Sequence, residues 1–341
     1  MPTPPVTDEE LIETVRAVNE TGGKTQAARV LGVSRPAIQH RMREAEKRGI
    51  WINNGGMEAP EFDGSDAPIE EILARYKKGF ERKLKAAESR DWYAVKVNET
   101  KPYGILWFGD PHLGPHCDWK TLEAHLEVAR QPGVYGGNIG DTTDNWSWTG
   151  RMAKLWAEND ITHGIERQLA EWFMFQAGVK WLVWIIGNHD AWNNGSYFHK
   201  QLGANVVPTH DWRAQFRLVH KGGVETKIDA AHGRKGNSIY NPVHGTLRDA
   251  KFGGMADLYV SGHIHQFGLQ EIEFPEQRHR TWLMQVSGYK CFDEYALVNG
   301  WQQTRYGSGA MSIHFPATGR VLCFSDPVEG ADYLKFLRNG V

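Results

Sequence analysis

Five short apolar runs, each followed directly by polar residues of metal- or phosphate-binding types, constrain the C-terminal part of this chain more than any other feature. The runs are YGILWF before GDPHLG, VYGGNI before GDTTDN, KWLVWII before GNHD, TKIDAA before HGRKG and ADLYV before SGHIH. Short apolar runs that stop at a polar turn are typical of strands. Open α/β sheets place their active residues beyond the carboxyl ends of the strands. The pattern therefore predicts an α/β domain with its functional site at that edge.

The polar clusters contain the donor types that hold divalent metals. The candidate ligands are Asp110, His112, Asp141, Asn188, His232, His263 and His265. Two pairs have i, i+2 spacing, and on an extended strand end such residues point to one face, so both members can reach one site. Imidazole and carboxylate together suit Mn²⁺, Fe or Zn²⁺, and two such ions need about seven or eight ligands. This predicts a two-metal site with one bridging aspartate, which can clamp a phosphate.

As a set, GDPHLG, GDTTDN, GNHD, HG and GHIH resemble the five motifs of the calcineurin-like metallophosphoesterase superfamily, over roughly residues 103 to 270. The resemblance implies an α/β fold, a four-layer α/β/β/α sandwich. It implies that one metal is held by Asp110, His112 and His265. It implies that the second is held by Asn188, His232 and His263, with Asp141 bridging. The two divalent ions are expected to be Mn²⁺, with Fe, Zn²⁺ or Ni²⁺ as alternatives.

The same resemblance places His189 near the phosphate, where it would stabilise charge or protonate the leaving oxygen. Asp190 would either orient His189 through a hydrogen bond or cap a helix. Asp144 would contact substrate or cap its loop, and Arg234 would meet a phosphate or lie in a solvated loop. The sequences HLG and GHIH resemble the corresponding motifs of the nuclease subunit of the double-strand-break repair complex. The motif GDTTDN differs from the usual second motif of that nuclease.

A basic segment near the N-terminus, KTQAARVLGVSRPAIQHRMR at residues 24–43, has the spacing of a helix-turn-helix and resembles the Fis type. Gly32 permits the tight turn, and Ser34 is suited to cap the second helix. That helix would expose Arg35, Gln39, His40, Arg43 and Lys47. Residues 24–48 contain seven Lys or Arg and two Glu, as a phosphate-contacting module requires. Duplex DNA is the expected ligand, and a homodimer would raise affinity by avidity. The alternatives are a small helical bundle with a solvated charged face, and a helix-turn-helix that docks a protein or dimerises.

The predicted organisation is a helix-turn-helix domain at 1–48, a linker with an amphipathic helix at 49–90, and a metallophosphoesterase domain at 91–341. A net charge of −2 excludes a generic polyanion binder. The longest apolar run, WLVWII, is far shorter than the roughly 20 residues that span a membrane, so no membrane partner is expected. Three cysteines without CxxC spacing and an N-terminus unlike a signal peptide indicate a reducing, cytoplasmic location.

Three functions remain open from the sequence. The first is a two-metal phosphoesterase that hydrolyses phosphodiester bonds in DNA, as a nuclease or an end-processing enzyme, recruited by the N-terminal module. The second is a phosphatase or phosphodiesterase for a nucleotide or another small phosphoester, with the N-terminal module docking a partner. The third is a DNA-binding regulator whose phosphoesterase domain only senses a ligand. The complete ligand set disfavours the third, because a degenerate domain would be expected to lose a ligand.

Overall fold

The computed structural model describes residues 6–50, 68–88, 92–236, 238–291 and 308–340. The chain divides into two compact units, Met1–Glu81 and Arg82–Val341. Most of the predicted linker lies outside the described residues, and the predicted boundaries at 48 and 90 stay predictions. Among the described residues, no helix combines the length and the apolar character that crossing a membrane requires.

The N-terminal unit contains three short helices before its described residues break off at Ile50. They are α1 (Asp8–Thr21), α2 (Lys24–Val30) and α3 (Arg35–Lys47). Gly32 adopts a φ of +64° in the turn before α3, and the Ser34 side chain accepts a hydrogen bond from Ala37 N at 3.3 Å. Both agree with the turn and the cap predicted there. Ile38 of α3 is fully buried. The assignment of these helices to a helix-turn-helix domain stays a prediction.

A single helix, α4 (Ile69–Glu88), carries the predicted amphipathic pattern. Its apolar side chains follow spacings of three and four residues, as expected for one helical face. Tyr76 and Phe80 are nevertheless about two-thirds exposed. The helix itself is thus confirmed, and its apolar face is left uncovered by the described residues.

The described residues of the C-terminal unit contain twelve strands and, after α4, seven α-helices. The strands are β1 (Tyr93–Val97), β2 (Tyr103–Phe108), β3 (Val134–Asn138), β4 (Trp181–Ile186), β5 (Thr209–Asp211), β6 (Arg213–His220), β7 (Glu225–Ala231), β8 (Leu258–Ser261), β9 (Gly268–Phe274), β10 (His279–Gln285), β11 (Ala310–His314) and β12 (Val321–Phe324). The helices are α5 (Trp119–Ala129), α6 (Ala153–Glu158), α7 (His163–Phe175), α8 (Asn188–Ala191), α9 (Gly195–Gly203), α10 (His244–Phe252) and α11 (Pro327–Asn339).

The strands form two six-stranded mixed sheets. The first has the order β12-β11-β2-β3-β4-β5 and the second the order β1-β6-β7-β8-β10-β9. Strands β2, β3, β4 and β5 are mutually parallel neighbours, as are β7 and β8 and then β8 and β10. The five predicted strands are confirmed as β2, β3, β4, β7 and β8. The continuous apolar runs of β2 and β4 are those of strands covered on both faces.

The two sheets pack face to face, and helices cover their outer faces. Between the sheets lies a core that includes Trp107, Ile185 and Phe216. Leu122 of α5 and Phe173 of α7 pack on the outside of the first sheet, and Ala250 of α10 packs on the outside of the second. The mixed α/β domain therefore has the four layers, helix, sheet, sheet and helix, that the resemblance implies.

Candidate metal centre

The carboxyl ends of the parallel strands bring the predicted ligands together in two groups. Group one comprises Asp110, His112 and His265, and group two comprises Asp141, His232 and His263. Within each group one donor atom per residue lies within 4.8 Å of the others. Asn188, predicted for the second metal, joins group two because its Oδ1 lies 2.9 Å from His232 Nε2. All seven predicted ligands thus converge, and their binding of metal stays a prediction.

Asp141, a member of group two, also faces group one. Its Oδ2 is 3.2 Å from His232 Nε2 and 4.0 Å from His112 Nε2. Its other carboxylate oxygen accepts a hydrogen bond from His189 N at 2.8 Å. One oxygen is therefore held by the backbone and the other faces donors of both groups, which is the position that a bridging ligand would need.

The loops that carry the ligands have an unusual backbone, and the extended conformation predicted for them was wrong. Asp110 and His112 were expected on an extended strand end, but they have φ values of +43° and +44°. Left-handed backbone also occurs at Asp141, His263 and His265. The paired ligands therefore share a site because the chain turns sharply after each strand, and strand alternation does not account for it. Such residues each cost of order 1–3 kcal/mol and cluster at functional sites.

Hydrogen bonds between the loops hold the two sheets together at the centre. Asp110 Oδ2 accepts from His263 N at 2.7 Å, which joins the end of β2 to the end of β8. His232 N donates to the carbonyl of Trp212 at 2.8 Å, and Trp212 N donates to the carbonyl of Ile186 at 3.1 Å. Hydrogen bonds to the backbone thereby position the candidate ligands.

The charges in the centre suit a cation. Burial lowers the pKa of His232, but the negative charges of Asp141 and Asp110 outweigh this and raise that pKa to about 10. Burial raises the pKa of Asp141, whereas the charge of His232 lowers it well below its ordinary value. The carboxylates therefore favour positive charge between them. A site built of carboxylates and imidazoles fits the borderline divalent metals predicted from the sequence.

Each of the two buried histidines among the candidate ligands has one ring nitrogen hydrogen-bonded to an oxygen. His112 Nδ1 lies 2.8 Å from Asp144 Oδ1, and His232 Nδ1 lies 2.9 Å from the carbonyl of Ile139. Carbonyl oxygens and ionised carboxylate oxygens accept hydrogen bonds and cannot donate them. The Nδ1 atom is therefore the donor in both histidines. Nε2 of each ring then faces the centre, as carboxylate- or carbonyl-supported metal ligands do. Asp144 therefore supports a candidate ligand, a role that was not predicted from the sequence.

The two predicted catalytic residues are adjacent to the centre and play different structural parts. His189 Nδ1 lies 2.5 Å from the backbone carbonyl of Asp144. Asp190 accepts hydrogen bonds from Thr142 N at 2.8 Å and Gly187 N at 3.0 Å. The Asp190 carboxylate thus caps the turn before α8 and ties it to the preceding loop. It does not bond the His189 ring, so its expected orienting effect on His189 would be indirect.

Aromatic rings surround His189. The centroid of the Trp192 ring lies 4.4 Å from that of His189, and the Trp146 ring lies 4.7 Å away. Trp146 is buried, so it packs as part of the centre's wall. Trp148, in the same loop, is 65% exposed and could meet a large substrate.

Arg234 does not take the phosphate-facing position considered for it. Its side chain is 2% exposed and lies 3.1 Å from the carboxylate of Asp229. It also bonds Asp249 and donates to the carbonyl of Val260. The Arg234 side chain, two residues after His232, therefore has a structural role in ion pairs beside the second sheet.

The five residues predicted to contact DNA lie on α3 and are all exposed. They are Arg35, Gln39, His40, Arg43 and Lys47. Lys47 also pairs with Glu44 at 2.7 Å. Their exposure is compatible with a recognition helix, and contact with DNA stays a prediction.

A sixth segment, SGYK at 287–290, also borders the centre and was missed. It follows β10, which is parallel to β8, so its position at this edge of the sheet follows from the same rule as the other five. The signal in the sequence was the run TWLMQV before SGYK, which lacks the Asp and His residues that identified the other motifs.

A buried carboxyl beside the centre predicts a change of stability with pH. Burial raises the pKa of Glu166 from 4.5 to about 7, although the hydrogen bond from Asn145 N acts to lower that pKa. Because the folded state binds this proton more tightly, the contribution to stability is full below about pH 4.5 and is lost as pH rises through about 7. Glu166→Gln is expected to flatten this fall, by of order 1–3 kcal/mol. Thermal unfolding from pH 4.5 to 8 measures it.

Glu171→Gln is the matched control, because Glu171 lies on the same helix, α7, and is exposed. This control should leave the pH dependence of the unfolding temperature unchanged. A Glu166→Gln protein whose stability fell with pH as steeply as the wild type would contradict the assignment.

No protein-family model matches the chain, and no curated protein matches it significantly. The similar solved structures include Vps29 from Entamoeba histolytica, a single mutant, at 11% identity and a TM-score of 0.32, covering 64% of this chain and 96% of that one. Vps29 from Chaetomium thermophilum has 11% identity and a TM-score of 0.32, with 62% and 84% covered. Vacuolar Protein Sorting 29 from Cryptosporidium parvum has 13% identity and a TM-score of 0.32, with 65% and 96% covered. At these values function must be inferred from the chain's own residues.

Proposed function

We propose that this protein is a two-metal-dependent phosphoesterase that hydrolyses phosphodiester bonds in DNA, as a nuclease or an end-processing enzyme. The observation that carries the proposal is the position of Asp141, whose Oδ2 faces His232 Nε2 at 3.2 Å and His112 Nε2 at 4.0 Å. A carboxylate shared by two groups of nitrogen and oxygen donors is what a pair of closely spaced ions requires.

Two bound divalent ions would neutralise phosphate oxygens and activate the attacking water. The protein's part is to hold and orient. Asp110, His112 and His265 would hold one ion, and Asn188, His232 and His263 the other. The buried carboxylates and fixed Nδ1 hydrogen bonds keep the donors in place, so little reorganisation accompanies binding.

His189 would serve the leaving oxygen. Its Nδ1 is committed to the carbonyl of Asp144, which leaves Nε2 as the nitrogen that can donate to a substrate. The Asn145 side chain donates to the carbonyl of His189 at 2.7 Å and fixes the backbone. In the imidazolium form both ring nitrogens carry a proton, and the one on Nε2 would pass to the ester oxygen as the phosphorus–oxygen bond breaks, leaving a neutral ring that keeps its Nδ1 proton.

DNA is proposed as the substrate because of the N-terminal unit. The exposed face of α3 carries Arg35 and Arg43 in a segment with an excess of positive charge, on a chain whose net charge is −2. Local basic surface of this kind binds phosphates without making the whole protein a polyanion binder.

End-labelled DNA digestion with Mn²⁺ tests the function. Full-length protein is incubated with duplex and with single-stranded DNA, and its hydrolysis of bis-p-nitrophenyl phosphate is followed in parallel. Cleavage of DNA supports the proposal, and the product ladder gives its polarity. Turnover of the small ester without any cleavage of DNA would favour the nucleotide or small-phosphoester enzyme, with the N-terminal unit docking a partner.

The double variant Arg35→Ala/Arg43→Ala is expected to weaken duplex binding and to reduce the slope of log affinity against log salt by about two, because each arginine would neutralise one phosphate. Hydrolysis of bis-p-nitrophenyl phosphate should be unchanged. Fluorescence anisotropy over a salt series measures the binding. Arg16→Ala is the control, since Arg16 is exposed on α1 and should leave the slope as it is. An unchanged slope in the double variant would remove α3 from the DNA interface.

A further inference from the structure

The segment after β10 forms a wall of group one. A Cβ added at Gly288 would lie 3.0 Å from the Cβ of Asp110 and 3.1 Å from His265 Nδ1, so glycine allows this close approach. Tyr289 N donates to the carbonyl of Asp110 at 3.1 Å. Ser287 Oγ donates to the carbonyl of His265 at 3.3 Å. Residues 287–289 thus contact two members of group one directly.

The next residue, Lys290, reaches the third member of group one through a carboxylate. Its side chain is 8% exposed, and its Nζ lies 2.5 Å from Asp144 Oδ1. The same oxygen accepts from His112 Nδ1 at 2.8 Å. Lys290 Nζ also lies 4.8 Å from the centre of the Trp146 ring, within the range of a cation–π contact. One carboxylate oxygen therefore joins a buried ammonium group to the ring of a candidate ligand.

This arrangement constrains the orientation of His112. A buried ammonium needs a carboxylate partner, because an uncompensated charge in the interior is costly. Asp144 is thereby held in place as an acceptor. The His112 ring must then direct its Nδ1–H at Asp144 and its Nε2 toward the other members of group one.

We propose that Lys290 is a positioning residue of group one, which fixes the orientation and tautomer of the His112 ring through Asp144. The inference rests on the proposed function only in treating group one as a metal site. It adds a sixth segment, contributed by the end of β10, to the five that the sequence motifs identify.

Isothermal titration of the full-length protein with Mn²⁺ tests the proposal. The wild type is expected to bind two ions. Lys290→Met should raise the dissociation constant of one of them by about 10- to 100-fold, the usual effect of losing such support, and leave the other unchanged. Lys227→Met is the matched control, because Lys227 Nζ lies 5.5 Å from the ring centre of Trp92, away from group one and group two. It should alter neither constant.

A second readout needs no metal. Long-range ¹H–¹⁵N spectra of the metal-free protein should show His112 protonated at Nδ1 in the wild type and a mixture of tautomers in Lys290→Met. If Lys290→Met does not fold, Lys290→Gln replaces it, because it removes the buried ammonium charge and leaves Asp144 and its contact with His112 in place. That variant should also bind one ion weakly.

Folded variants with both Mn²⁺ constants and the His112 tautomer unchanged would overturn the positioning role. A wild type that binds two Mn²⁺ ions but hydrolyses no phosphoester would overturn the proposed function, while the binding and tautomer data would still decide the role of Lys290. A wild type that binds no Mn²⁺ would overturn both.

Discussion

Asp141→Asn is expected to reduce phosphodiester hydrolysis by at least about a thousandfold, which corresponds to about 4 kcal/mol of transition-state stabilisation. The amide that replaces the carboxylate would carry no charge between group one and group two. Asparagine retains an Oδ1 acceptor for His189 N and tolerates the left-handed backbone at this position, so the fold should survive. Turnover of bis-p-nitrophenyl phosphate with Mn²⁺ measures the effect, and circular dichroism checks the fold.

Asp160→Asn is the control for this variant, because Asp160 is exposed and the substitution makes the same change of charge. It should leave turnover within about twofold of the wild type, as expected for a surface substitution. Asp141→Asn protein that was folded and retained a tenth of wild-type activity would rule out a shared ligand at this position.

Arg234→Met is expected to lower the free energy of unfolding by about 3 kcal/mol, at the lower end of the range for breaking a buried ion pair. The variant would leave Asp229, which is fully buried, with fewer cationic partners. The loss is moderated because Arg213 and Gln215 also bond Asp229. Urea unfolding measures the change, and a fall in the unfolding temperature of roughly 6–12 °C should accompany it.

The matched control is Arg280→Met. Arg280 pairs with Glu273 at 3.6 Å in the same sheet, but the two side chains are 67% and 58% exposed. An exposed pair contributes about 0–1 kcal/mol, so this variant should be nearly as stable as the wild type. Equal losses in the two variants would show that burial does not set the cost.

The sequence predicted the strands and the convergence of the ligands because both follow from local rules. YGILWF and WLVWII are apolar throughout since β2 and β4 are covered on both faces, and parallel neighbours must end at one edge. The choice of Asp, Asn and His after these strands then identified the candidate centre. None of this needed knowledge of distant contacts.

What the sequence did not reveal depends on contacts between distant segments. In the sequence Arg234 follows HG in a predicted loop, where a basic side chain is usually solvated. Only the packing of the second sheet places it beside Asp229. Lys290 is separated by 146 positions from Asp144, and a lysine after a strand carries no sign of burial. The left-handed turns were also missed, because Asp and His can adopt either backbone conformation and the i, i+2 spacing suits both.

The left-handed backbone at five ligand positions has a consequence for how such a centre is maintained through evolution. At each of these positions glycine would relieve the backbone cost that Asp or His incurs. Substitutions that raise the free energy of unfolding would therefore tend to replace the candidate ligands, and the residues of the surrounding strands have no such backbone cost to relieve. A descendant released from selection for the centre would be expected to carry glycine at positions such as 110 and 263, on sheets that are otherwise intact.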